Sequence, residues 1–270
     1  MAHFAFCLIN QKGGCGKSST CFHLAGAFAG LGYNVLLVDV DPQGSLSQGF
    51  LGPDVVENLP AHETLAALFD ESSFFTDHRS LVRETPFPGI SLIPANQTLA
   101  EFNTPRPERS GMMQYAIREL LDAQTDYDVV LLDWPPNLYQ CSWNAMIASD
   151  YVLIPVPPED FGTQGLRAVH QAIDQARQLN TGLRRLGHLV TRYDRRLVLH
   201  RSYEELLRRL YRELVLDTMI SEVSAYKVSL ACRRPVEFYG AKSPAAGAMR
   251  TLAEEILTRA MKREGKRRVG

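Results

Sequence analysis

Lys12-Gly13-Gly14-Cys15-Gly16-Lys17-Ser18-Ser19 stands between an apolar run, residues 4–9, and a helical pattern that begins at Lys17 and stops at Gly32. A strand, a glycine-rich turn and a helix in that order form the context a phosphate-binding loop requires. Glycines let successive backbone N–H groups turn inward into an anion-binding nest. The N-terminus of the following helix adds the positive end of its dipole. Lys17 is placed to reach the β- and γ-phosphates of a nucleotide, and the Ser18 hydroxyl to ligate Mg²⁺. Gly13, Gly14, Cys15, Gly16, Lys17, Ser18 and Ser19 are therefore the candidate nucleotide contacts.

Further strand candidates follow at residues 35–39, 90–94, 129–133, 152–156, 188–191 and 217–220. Most are continuous Val/Ile/Leu runs rather than alternating ones, as expected of a parallel sheet buried on both faces. Helical patterns lie between them at 17–31, 111–123, 162–179, 202–214 and 244–263, with a short helix around 63–69. Ser202-x-x-Glu205 reads as a capping box. Strand–helix alternation predicts right-handed crossovers and a single doubly wound, mostly parallel α/β sheet with helices on both faces. Residues 1–263 read as a single domain, followed by a basic tail, 264–270.

Composition narrows the function. Among the 270 residues, 45% are hydrophobic and 22% charged, as in soluble globular chains. No apolar run approaches the roughly 20 residues of a membrane-spanning helix. The N-terminus carries no basic region of the kind that opens a signal peptide, and reads as a strand. Five scattered cysteines without a C-x-x-C pair argue for a reducing compartment and against a zinc or disulfide framework. The net charge of −1 conceals an asymmetry. Residues 1–183 hold 9 Lys/Arg against 20 Asp/Glu, whereas 184–270 hold 20 against 10. A basic third beside an acidic body points to a polyanionic partner, nucleic acid or an anionic membrane.

The loop departs from the common G-x-x-x-x-G-K-[ST]: counted back from Gly16-Lys17, the first glycine of that pattern falls on Gln11, and Lys12 opens the glycine run. In this the chain resembles the ParA/MinD family of deviant Walker A P-loop ATPases, whose loop reads K-G-G-x-G-K-[ST]-[ST]. Asp39-Val40-Asp41-Pro42-Gln43-Gly44 resembles the family's second motif, D-x-D-P-Q-G. Val129-Val130-Leu131-Leu132-Asp133-Trp134-Pro135-Pro136 resembles its Walker B strand. Trp134 departs from the small residue usual there, which implies a crowded or altered switch region. The preceding Asn10-Gln11 matches the chromosome- and plasmid-partition (Soj-like) members.

The resemblance implies ATP and Mg²⁺ as cofactors. Asp39 and Asp133, with Ser18, would hold the metal, which suits a hard cation that keeps several waters. Asp41 would orient the attacking water. Lys17 would bind phosphate, and Lys12 would cross a dimer interface to the partner's nucleotide as an arginine finger does. It further implies an ATP-sandwich homodimer whose slow hydrolysis is stimulated by a ParB-like or cargo-adaptor partner. The dimer would position a plasmid, a chromosome origin or a protein assembly such as a carboxysome on non-specific nucleoid DNA. The expected location is cytoplasmic and nucleoid-associated, with no membrane partner.

Non-specific DNA binding needs clustered cations. Candidates are Arg192, Arg195, Arg196, Arg201, Arg208, Arg209 and Arg212. On the 202–214 helix, Tyr203, Leu206, Leu207, Leu210 and Leu214 read as the buried face and Arg208, Arg209 and Arg212 as the other. Leu189-Val-Thr-Arg-Tyr-Asp-Arg-Arg196 resembles the family's L-T-x-x-D-x-R stretch, with Arg196 on its DNA-binding arginine. The partition members' I-P-R-x-x-R-like stretch is missing after Ile220. The alternative is a MinD-like membrane ATPase, which requires an amphipathic C-terminal helix. An iron–sulfur reductase lacks a second ligand cysteine, and a GTPase lacks N-K-x-D.

Overall fold

The computed structural model describes residues 4–70, 78–105, 111–158 and 163–267. The expected helix start at Gly162 and the end of the tail, 268–270, lie outside them. Seven strands form one sheet: β1 (Phe4–Leu8), β2 (Val35–Asp39), β3 (Arg83–Glu84), β4 (Ile90–Ile93), β5 (Val129–Asp133), β6 (Tyr151–Val156) and β7 (Arg184–Val190). Their spatial order is β3-β4-β2-β5-β1-β6-β7. Every pairing is parallel except that of β3, a two-residue edge strand antiparallel to β4.

The continuous apolar runs are explained by burial on both sides. Ala5, Cys7, Leu36, Val38, Val130 and Leu132 enter one core layer. Phe4, Phe6, Leu8, Val35, Leu37, Val129 and Leu131 enter the other. Side chains alternate across a strand, so a strand covered on both faces carries no polar positions. The second layer is closed by α1 (Lys17–Gly30) and α10 (Pro244–Arg267), with shorter helices α2 (Ser45–Leu51), α3 (Pro53–Glu57), α8 (Ser224–Ala231) and α9 (Val236–Gly240) nearby. The first is closed by α4 (Ala116–Asp122), α5 (Gln140–Ala148), α6 (Thr163–Leu179) and α7 (Val198–Tyr211).

Four expectations need correction. No strand forms over 217–220; isolated bridges stand on either side of it, His188 with Val215 and Tyr193 with Ser221. The Glu255 carboxylate takes the N–H groups of Asp217 and Thr218, both at 2.8 Å, so they are not available to a ladder. Helix α7 begins at Val198 rather than 202, which leaves the Ser202-x-x-Glu205 pair inside it. The helix expected over 111–123 opens as a 3₁₀ turn, Gly111–Tyr115, before α4. Helix α10, expected over 244–263, continues through Arg267.

Candidate nucleotide site

Strand β1 ends at Leu8 in the middle of the sheet, between β5 and β6, and the glycine loop leaves from there into α1. This is the crevice beyond the carboxyl ends of the strands where open α/β sheets bind ligands. Gly16 is the residue before α1, at φ 87°. A side chain there would meet nothing closer than 3.9 Å, so the left-handed backbone, not space, calls for glycine. Asn10 anchors the start of the loop: its Nδ2 donates to Pro155 O at 2.7 Å and its Oδ1 accepts from Lys12 N at 3.0 Å. Thr191, just past β7, anchors the middle by donating from Oγ1 to Cys15 O at 2.8 Å. Lys17 is buried and curls over the loop, its Nζ donating to Lys12 O at 3.2 Å. The Lys12 side chain is exposed.

The acidic residues converge on the same end. Asp39 and Asp133 are register partners on adjacent strands, and both are fully buried. Alternation along β2 and β5 turns them to the face that α1 covers. Asp39 Oδ2 accepts from Ser47 N at 2.9 Å and from Ser47 Oγ at 2.6 Å, and its Oδ1 accepts from Asp41 N at 3.1 Å. Asp133 Oδ1 accepts from Trp134 N at 3.1 Å, while its Oδ2 is buried without a hydrogen-bond partner. Asp41 lies at the rim, 8% exposed, its Oδ1 accepting from Gln43 N at 3.0 Å. Gly44 closes this turn at φ 62°, where a Cβ would stand 2.5 Å from Ala95 O, so both angle and approach demand glycine.

Burial raises the carboxyl groups of Asp39 and Asp133 well above the ordinary range, and the charge of Asp133 adds to the effect on Asp39. For Asp133 the Ser18 hydroxyl is the largest opposing influence. Asp41 is raised by burial, partly offset by the Gln43 N–H and the Lys17 charge. Lys17 offsets only part of the cost of burying these carboxyl groups, and Asp133 Oδ2 has no hydrogen-bond partner. A hard divalent cation supplies both needs, so the residues present fit Mg²⁺. Asp39, Asp133 and Ser18 would hold it.

The Trp134 side chain lies on the opposite face of the sheet from this cluster. Its indole is fully buried in the first core layer and donates from Nε1 to Asn137 O at 3.0 Å. Sequence reading missed three positioning residues, Ser47, Thr191 and Asn10's side chain. Ser47 follows the second acidic motif by three residues, which was its available signal.

The arginine candidates divide. Arg192, at φ 54°, reaches toward the phosphate loop, with one guanidinium nitrogen 3.5 Å from Gly14 O and the other 3.5 Å from Glu222 Oε1. Arg196 is chelated by Asp194, with contacts of 2.8 to 3.2 Å. Arg208 is half-buried, donating to Glu204 Oε1 at 2.8 Å and Leu216 O at 3.2 Å. Arg195, Arg201, Arg209 and Arg212 are exposed. Leu206 and Leu210, expected inside, are also exposed, and Leu214 is half-buried. The buried face of α7 is His200, Tyr203 and Leu207. Arg212 lies beyond α7 in a 3₁₀ turn, at φ 48°, rather than on a shared helix face.

A glycine loop opening a helix with lysine and serine, faced by two strand-end carboxylates, defines a P-loop nucleotide hydrolase. The AAA domain family model matches residues 5–185. Over 256 residues the chain is 36% identical to the chromosome-partitioning ATPase Soj of Thermus thermophilus, covering 93% of this chain and 94% of that protein. It is 30% identical to the chromosome partitioning protein ParA of Caulobacter vibrioides, covering 96% of each. A Mycobacterium smegmatis structure described as cobyrinic acid a,c-diamide synthase with bound ATP analog and magnesium superposes with a TM-score of 0.78. It is 28% identical, with 95% of each chain covered. The chain belongs to the ParA/MinD family of P-loop ATPases.

Proposed function

We propose that this chain is a ParA-like positioning ATPase, with residues 1–263 as its ATPase unit. In the proposed cycle ATP with Mg²⁺ drives formation of a sandwich homodimer. The dimer binds DNA without sequence preference and carries a plasmid, a chromosome origin or a protein assembly. A ParB-like or cargo-adaptor partner stimulates hydrolysis and ends the DNA-bound state. The observation that carries this reading is the buried Asp39–Asp133 register pair facing Lys17 and Ser18, with Asp41 at the rim.

Each side chain has a part in the proposed chemistry. The loop N–H groups and Lys17 bind and orient the phosphates. Asp39, Asp133 and Ser18 hold the cation, which when bound neutralises phosphate charge. Asp41, less enclosed than the other two, accepts a hydrogen bond from the attacking water. Exposed Lys12 is free to reach a second protomer. Arg195, Arg201, Arg209 and Arg212 are the accessible cations for DNA phosphates. Arg192, Arg196 and Arg208 would first exchange their present partners.

The proposed location is cytoplasmic, on the nucleoid. No helix among the described residues is long and apolar enough to cross a membrane. Helix α10 buries Leu252, Ile256 and Leu257 in the core, which does not favour the MinD-like use of that helix on lipid. The test is light scattering of Asp41→Ala, which on this reading would slow hydrolysis and prolong the ATP state. A dimer with ATP and Mg²⁺ but a monomer with ADP is expected. A monomer in both would contradict the sandwich.

A further inference from the structure

Two consecutive carbonyls of the phosphate loop are held from the end of β7. Thr191 Oγ1 donates to Cys15 O at 2.8 Å, and Arg192 Nη1 reaches Gly14 O at 3.5 Å. In a trans peptide the carbonyl and the next residue's N–H point opposite ways. Holding Gly14 O and Cys15 O toward β7 therefore turns the N–H groups of Cys15 and Gly16 away from it. Donors gathered on one side in this manner make an anion-binding nest. Arg192 itself has an unusual backbone, at φ 54°. Its neighbours are both anchored, Thr191 N donating to Val156 O and Tyr193 N to Ile220 O, each at 3.0 Å. A left-handed angle is uncommon for a side chain of this size, and such angles gather at functional sites.

The guanidinium has a second claimant. Arg192 Nη2 stands 3.5 Å from Glu222 Oε1, and the same oxygen accepts from Lys227 Nζ at 2.8 Å. Glu222 is fixed near by its backbone, its N–H donating to Tyr193 O at 3.2 Å. Lys227, and with it Arg192, holds the Glu222 carboxyl below its ordinary range, so it is ionised at neutral pH. Both contacts of the guanidinium lie at the long limit of hydrogen bonding. The cation is thus divided between a loop carbonyl and a carboxylate. We propose that Arg192 is a positioning residue of the nucleotide site and that Glu222 restrains it. Arg192 holds Gly14 O, keeps the Cys15 N–H aimed at phosphate and sets a positive charge beside the loop. Glu222 draws the guanidinium off, and Lys227 weakens that draw by occupying the same oxygen. Arg192 then serves the loop rather than DNA. An ion pair that only braced the surface would loosen the site whichever partner was lost. Here the two partners act in opposite directions. The proposal rests on nucleotide binding at the phosphate loop.

The experiment titrates the full chain with a fluorescent ADP analogue and Mg²⁺, which fills the loop without the ATP-dependent dimer. Arg192→Gln should weaken binding about fivefold, as one lost charge-assisted contact does. Glu222→Gln should tighten it about threefold, because the guanidinium is released to the loop. The double variant should match Arg192→Gln, since Glu222 acts only through Arg192. The two side chains are 41% and 33% exposed, so urea midpoints should stay near that of wild type. Weaker binding in both single variants would mark a bracing ion pair and overturn the proposal. A gain from Glu222→Gln that persists in the double variant would mark a plain field effect of the carboxylate and overturn it too. So would unchanged binding in Arg192→Gln. If folded wild type binds no nucleotide, the reading of the loop itself fails, a result distinct from any of these.

Discussion

Ser47 donates its backbone N–H and its hydroxyl to the same oxygen of Asp39, at 2.9 and 2.6 Å, while the hydroxyl accepts from Ala95 N at 3.0 Å. One serine therefore fixes a buried carboxylate and ties the end of β4 to it. Ser47→Ala would leave the Ala95 N–H unpaired and deprive Asp39 of a charge-assisted bond. A stability loss of about 1–3 kcal/mol is expected in urea titration, with weaker Mg²⁺-dependent ATP binding. A variant matching wild type in both would show that Ser47 does not position Asp39.

Thr191 clasps the phosphate loop across 176 residues of sequence through its bond to Cys15 O. Thr191→Val keeps the shape and removes the donor. It should cost about 1 kcal/mol of stability and speed nucleotide release, whereas Thr191→Ser should retain slow release. Stopped-flow displacement of a fluorescent ATP analogue reads this directly. Identical off-rates in wild type and Thr191→Val would remove the loop-anchoring role.

Lys17→Ala tests the phosphate cradle. Loss of a charge-assisted contact to phosphate should weaken ATP by about a hundredfold. Calorimetric titration in the presence of Mg²⁺ measures it. Retained affinity would place the phosphates elsewhere.

The central strands were legible because each is buried on both faces, which leaves an unbroken apolar run in the sequence. The phosphate loop was legible because glycines, lysine and serine follow β1 immediately. Helix α5 was not, since Gln140–Ala148 is buried nearly all round and so shows no amphipathic period. The clasp by Thr191 was hidden as well. It exists only once β6 separates β7 from β1 in the sheet, an arrangement no local pattern reveals. The expected strand at 217–220 failed to a side chain, Glu255, that reaches it from α10. The arginines were over-read as a set. Arg208's bond to Glu204 is an i, i+4 pair that the sequence does display.

Acid stability follows from a histidine chain between α6 and β7. Arg185 Nε donates to His170 Nδ1 at 3.0 Å, and the two histidine Nε2 atoms stand 3.1 Å apart. His170 therefore gives its Nε2 proton to His188, which keeps its own on Nδ1. Tyr211 packs on both rings, and Asp174 pairs with Arg185 at 2.6 Å. Burial lowers His188 to about 3, assisted by His170, and burial with the Arg185 charge lowers His170. The unfolded chain binds protons here near pH 6.5 while the folded chain does not. The contribution of this pair is thus complete above about 6.5 and falls as pH drops toward 3, by about 1.4 kcal/mol per pH unit for His188 alone. The raised carboxyls of Asp39 and Asp133 act in the opposite direction over the same range, so the histidine share is read by comparing wild type with His188→Gln in the change of urea midpoint from pH 7.5 to 5.5, with the wild type expected to fare worse on acidification. An equal change in the two proteins would contradict it.

The measurement that bears most directly on the function is binding to random-sequence duplex DNA and to anionic liposomes, side by side, with ATP, with ADP and without nucleotide. Asp41→Ala serves as a second sample, in which loss of the proposed water-orienting carboxylate would prolong the ATP state. The account predicts DNA binding that requires ATP, weakens steeply with salt and is stronger for Asp41→Ala, with no liposome binding. Liposome binding without DNA binding, or DNA binding indifferent to nucleotide, would contradict it.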